Sequence, residues 1–143
     1  MGQYARMTTN LLESENPIGA ATRVLCSAVA DSPQFASIRA RIDRFGGDME
    51  ARMQFEMVNR KGNQLQQRQD SGAEITEADI AEFERMRESL IANDVARDFL
   101  EAREEMVALQ EDVQKWLTKT FELGRMPTAE DMEGSCGPGC GCA

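Results

Sequence analysis

Residues 94–124 read DVARDFLEAREEMVALQEDVQKWLTKTFELG, and this stretch decides the fold. Val95, Phe99, Ala102, Met106, Leu109, Val113, Trp116 and Thr120 recur at alternating intervals of four and three, the spacing of a coiled-coil seam. Asp94 can cap its start, and Gly124 can stop it in a left-handed turn. A helix of that span is about 45 Å long at ~1.5 Å per residue. One small globule can hardly cover it. The seam can pack on the chain's own residues 48–70, with 77–91 completing a helical hairpin. The reading preferred here is that a second protomer or a related subunit buries part of the stripe.

The segments upstream carry helical signals of the same kind. Asn16-Pro17 and Ser32-Pro33 each set a capping side chain before a proline at the first helical position. The first opens a helix with Ile18, Ala21, Leu25 and Ala28 as its apolar side. The second opens one with Phe35, Ile38, Ile42 and Phe45, ending at Gly46-Gly47. Asp48 then caps a longer helix bearing Phe55, Val58, Gly62 and Leu65, which stops at Ser71-Gly72. Thr76 and Asp79 form a capping box for a helix whose apolar side carries Ile80, Phe83, Leu90 and Ile91. No segment alternates like a strand. The expected fold is all-α: an elongated bundle of about five helices with a long C-terminal helix, spanning 16–123, between a flexible N-terminus (1–15) and a flexible acidic and Cys-rich tail (124–143).

Composition agrees. Of 143 residues, 29% are charged, 6% are aromatic and nine are methionine, a balance suited to helices rather than sheets. The 25 acidic and 16 basic side chains leave a net charge of −9, which opposes nucleic-acid backbones and anionic membranes. Arg39, Arg41, Arg44 and Arg52 cluster, but the expectation for them is a solvated, charge-paired face and no direct nucleic-acid contact. No run is long and apolar enough to span a membrane, and MGQYARMTTNLLESE lacks the apolar core of a secretory signal. The expected location is cytoplasmic.

Histidine is absent, which removes the commonest general base and the common His-containing zinc sites. Acidic pairs such as Glu104-Glu105 and Glu111-Asp112 fit a solvated helix face. No enzyme active site emerges.

The ending GSCGPGCGCA, residues 134–143, is where chemistry concentrates. Cys136, Cys140 and Cys142 are separated only by glycine and proline. The CxxxC spacing, with the chain stopping soon after, does not suit thioredoxin-type chemistry, which needs a helix behind the first cysteine. Three thiolates around one centre suit a metal: zinc and a cubane iron–sulfur cluster normally take four ligands, and copper(I) accepts two or three. The missing fourth ligand can be Cys26 or a group from another protein. For Cys26 the favoured role is nonetheless a small buried hydrophobe beside Leu25 and Val29. At ~3.3 Å per residue, an arm starting near Gly124 could reach 60 Å or more.

From about Ile18 to Phe121 the chain resembles the YlbF/YmcA family of bacterial regulators. The likeness is carried by ANDVARDFLEAREEMVALQEDVQKWL (92–117), similar to that family's final helix with its Asn and its aromatic-Leu-x-Ala turn, here Phe99, Leu100 and Ala102. QLQQRQDSGAEITEADIAEFERMRESL (64–90) is similar to its glutamine-rich helix, turn and acidic helix. Asp94 departs from it, standing where many relatives carry proline. The resemblance implies a non-enzymatic helical regulator that forms homo- or hetero-oligomers with a related subunit. It also implies a four-iron, four-sulfur cluster with Cys136, Cys140 and Cys142 as ligands, and a ribonuclease Y-type partner in mRNA processing and developmental regulation. The alternatives are a zinc or copper(I) module built on the tail alone, and a chaperone-like helical scaffold whose tail is incidental.

Overall fold

The computed structural model describes residues 16–133, within which every regular element is a helix. They are α1 (Pro17–Asp31), α2 (Pro33–Gly47), α3 (Met49–Asp70), α4 (Glu77–Ala92), α5 (Asp94–Leu123) and α6 (Ala129–Glu133). The all-α expectation holds, with one short helix more than the sequence suggested. The flexible end expected at 1–15, and residues 134–143 of the one expected at 124–143, lie outside the described residues.

Each start is explained by local chemistry. Asn16, Ser32 and Asp48 accept hydrogen bonds from the backbone N–H groups of Ile18, Phe35 and Ala51, satisfying donors that a helix start leaves orphaned. Thr76 and Asp79 make the reciprocal capping box expected of them. At the end of α3, Ala73 N–H donates to Arg68 O and Gly72 N–H to Gln69 O, with Gly72 at φ 75°. This is a Schellman ending, whose left-handed residue favours glycine. α5 is capped by Asn93 rather than Asp94: Asn93 Oδ1 accepts from Val95 N and Ala96 N, while its Nδ2 donates to Gln54 Oε1 on α3 at 3.1 Å. An uncharged amide can do both jobs because it has an acceptor and donors on one group. A carboxylate at that position could only accept.

α3 and α4 form the expected antiparallel hairpin, but the principal neighbour of α5 is α2 and not α3. Phe45 of α2 stacks on Phe99 of α5, and Phe55 of α3 meets both rings edge-on at 5.6 and 5.5 Å between centroids. Ala51, Val58, Leu90 and Ala96 complete this buried cluster. Farther along, Ile38 and Ala102 are fully buried. The side chains of Arg41 and Arg44 reach Glu105 and Asp98, so the two helices run antiparallel. α2, with 15 residues, is ~22 Å long and α5 about twice that. The C-terminal half of α5 therefore outruns its partner.

The apolar side of α4 is turned from the expected one. Phe83, Met86 and Leu90 face the core, leaving Ile80 and Ile91 51% and 47% exposed. At ~100° per residue, those two lie some 60–80° off the packed stripe. α1 departs further. Ile18, Ala21, Leu25 and Ala28 are all exposed, with only Gly19 buried. Its backbone approaches α2 alone, and none of its Cα atoms comes within 8 Å of α5.

Candidate functional site

The three tail cysteines singled out above, Cys136, Cys140 and Cys142, lie outside the described residues. What the structure does place is the root of their arm. Gly124, at φ 67°, ends α5, and the chain does not run free from there. Arg125 grips Asp131 with both guanidinium nitrogens, at 2.8 and 3.2 Å. Thr128 donates its backbone N–H and its hydroxyl to Asp131 Oδ2, at 2.8 and 2.9 Å, and Asp131 N–H returns a bond to Thr128 Oγ1. Paired with a guanidinium and accepting these bonds, the Asp131 carboxyl is held far below the usual carboxylate range. Pro127 is buried, and α6 rests against α5. The arm is thus anchored as far as Glu133, three residues before Cys136. An arm starting there, not at Gly124, has a reach to Cys142 of at most about 30 Å at ~3.3 Å per residue, half of that expected from the sequence.

Cys26 is a correction. It is an exposed free thiol and not a buried hydrophobe, because α1 has no helix packed over that side. It lines a cleft of about 480 Å³ between α1 and the C-terminal half of α5. Leu25 and Val29 form one wall with it, Phe35 closes the base, and Met106, Val113 and Leu117 supply the other wall. Among the described residues, no three histidine, cysteine or acidic side chains converge as metal ligands do.

Two of the clustered arginines, Arg41 and Arg44, are charge-paired as expected. Arg41 makes a two-pronged pair with Glu105 at 2.9 and 2.7 Å, which holds the Glu105 carboxyl below its ordinary range and the guanidinium above its own. Arg44 pairs with Asp98 at 3.2 Å, and Arg52 donates to Gly46 O. These arginines bind α2 to its neighbours. Glu105, expected on a solvated face, takes its partner from another helix.

The seam on α5 is covered unevenly. Phe99, Ala102, Met106, Leu109 and Val113 are buried or half-buried, whereas Trp116, Leu117 and Phe121 stay exposed. The cleft escaped the sequence reading, which paired α5 with α3. A signal was there: α1 carries no acidic residue from Pro17 to Ala30, and α5 carries none from Val113 to Phe121. No described helix is long and apolar enough to cross a membrane.

These features describe a helical platform with an apolar cleft near one end and an anchored Cys-rich arm at that same end of α5. No curated protein and no solved structure matches the chain. A family model described as "Control of competence regulator ComK, YlbF/YmcA" matches residues 18–122, from the first turn of α1 almost to the end of α5. The chain belongs to the YlbF/YmcA family of competence regulators.

Proposed function

We propose that the chain is a non-enzymatic regulatory adaptor whose helical body assembles with a second helical subunit and whose tail contributes Cys136, Cys140 and Cys142 to a shared iron–sulfur cluster. The regulated process is ribonuclease Y-dependent mRNA processing. The observation that supports this reading is the spacing of the cysteines in the sequence. They follow immediately on a segment fixed by the Arg125–Asp131 pair and lie beyond the family-matched residues. A donor set of three thiolates fits a cubane cluster short of one ligand. The fourth comes from the partner, or from Cys26, whose thiol is accessible at the cleft.

Anaerobic purification of the full chain with its bound partners, followed by iron and sulfide analysis, tests the proposal. Stoichiometric iron and sulfide, lost on Cys136→Ser, support it. A colourless, iron-free complex sinks it. A tail that binds zinc or copper(I) one-to-one as an isolated peptide, without the body, supports a metal-carrier module instead. A chain that keeps its regulatory effect without residues 134–143 supports a helical scaffold.

A further inference from the structure

We infer that the N-terminal segment, residues 1–15, doubles back along α1 and seats its apolar side chains in the cleft between α1 and the C-terminal half of α5. The occupant is the chain itself, so the cleft is closed in cis, and any partner that docks there must first displace the segment. Only that consequence rests on the adaptor reading of the proposed function. The occupancy needs neither a partner nor a metal.

The first ground is the character of the cleft. It measures about 480 Å³, and no side chain lining it is charged. α1 approaches α2 alone and leaves this side of α5 uncovered, so Ile18, Leu25 and Leu117 are 62%, 38% and 51% exposed. Filling such a space removes apolar surface from water and strands any charge brought into it, which favours an apolar and weakly charged occupant.

Residues 1–15, MGQYARMTTNLLESE, meet that description. Tyr4, Met7 and Leu11 recur at intervals of three and four, the spacing of one apolar helix stripe, and Leu12 adjoins them. From Met1 to Leu12 the only charged side chain is Arg6, while the two carboxylates, Glu13 and Glu15, fall beside the Asn16 cap of α1. The segment lies outside residues 18–122 matched by the family model, so the cover belongs to this chain and not to the shared body.

Reach is the third ground. Leu25 stands nine residues along α1 from its cap Asn16, ~13 Å at ~1.5 Å per residue. A chain turning back at Asn16 and running extended covers that distance in four residues at ~3.3 Å each, which brings Leu12 beside Leu25. Running as a helix it takes nine, which brings Met7 there. Either conformation delivers an apolar side chain, and the rest of the segment continues towards Val29 and Phe35. So short a tether holds the segment at an effective concentration in the millimolar range, where weak contacts suffice.

The test uses the full-length chain with Cys136, Cys140 and Cys142 replaced by serine, leaving Cys26 as the only thiol. No cluster forms on that chain, so failure of the cluster reading leaves the result unchanged. The rate at which a maleimide labels Cys26 is measured at nanomolar and at micromolar protein. A cover in place nine-tenths of the time slows labelling about tenfold, and a cover in cis does so equally at both concentrations. Removing residues 2–12 should restore the faster rate, as should Met7→Asp, Leu11→Asp and Leu12→Asp combined, with helical circular dichroism of the body retained. Equal rates in the full-length and shortened chains overturn the inference. So does a triple variant that labels as slowly as its parent. Protection that grows with protein concentration and survives the deletion also overturns it, since another molecule would then be the occupant.

Discussion

Phe45 and Phe99 lie face to face, their ring planes 7° apart and their centroids at 3.8 Å, and this contact joins the short helix α2 to the long helix α5. Phe45 is only 9% exposed. Phe45→Ala removes the stacked ring and the edge-on contact to Phe55 at once, and should lower stability by about 3–4 kcal/mol. Urea unfolding followed by circular dichroism measures it. Phe45→Leu, which retains most of the volume, should lose clearly less.

Asn93 caps α5 and reaches Gln54. Asn93→Ala should therefore cost about 1–2 kcal/mol, while Asp94→Ala, one residue on, should cost much less. If thermal melts show the two alanine variants equal, the cap assignment is wrong.

Asp79 couples stability to acid. It accepts hydrogen bonds from Thr76 and pairs with Arg68, and its carboxyl is lowered from 3.8 to about 2, chiefly by the Thr76 bonds. Its folded value is depressed, so its contribution is complete above the unfolded value near 4 and fades as pH falls through about 2. Comparing melting temperatures of the wild type and Asp79→Asn at pH 6 and pH 3, the gap should shrink at the lower pH. A gap that is constant, or widens, contradicts the assignment.

The helical body should fold without metal. The buried cluster around Phe45 contains no cysteine, and the Cys26 thiol is exposed. Treating the purified protein with a strong chelator should leave its helical circular dichroism and its melting temperature unchanged. Loss of helical signal on chelation would show that the tail holds the body together.

The sequence made helix starts readable because each is a local event: Asn16, Ser32, Asp48 and Thr76 announce themselves within three residues. The stripe of α5 was readable for the same reason, its spacing being a property of one helix. Which helix covers that stripe is another matter. Phe45 and Phe55 lie on different helices, and both are plausible partners for Phe99; in the structure both contact it, with α2 running alongside α5. Ile80 and Ile91 show a further limit, for a helix with apolar residues on a broad arc does not state which part of the arc is packed. Cys26 was misread because a small thiol among Leu25 and Val29 has the composition of a core position, and composition says nothing about whether another helix arrives. The candidate ligands were legible from spacing alone, since glycine-separated cysteines need no tertiary context to be noticed.

The clasp of Arg125 on Asp131 gives the arm a fixed origin, and a fixed origin turns chemistry into geography. The chain length from Glu133 to Cys142 caps the reach of the thiols at about 30 Å from that residue, less than the ~45 Å length of α5. A subunit seated near the C-terminal half of α5 meets them at an effective concentration on the order of 10 mM. Where a partner docks therefore selects whether it can share those cysteines at all.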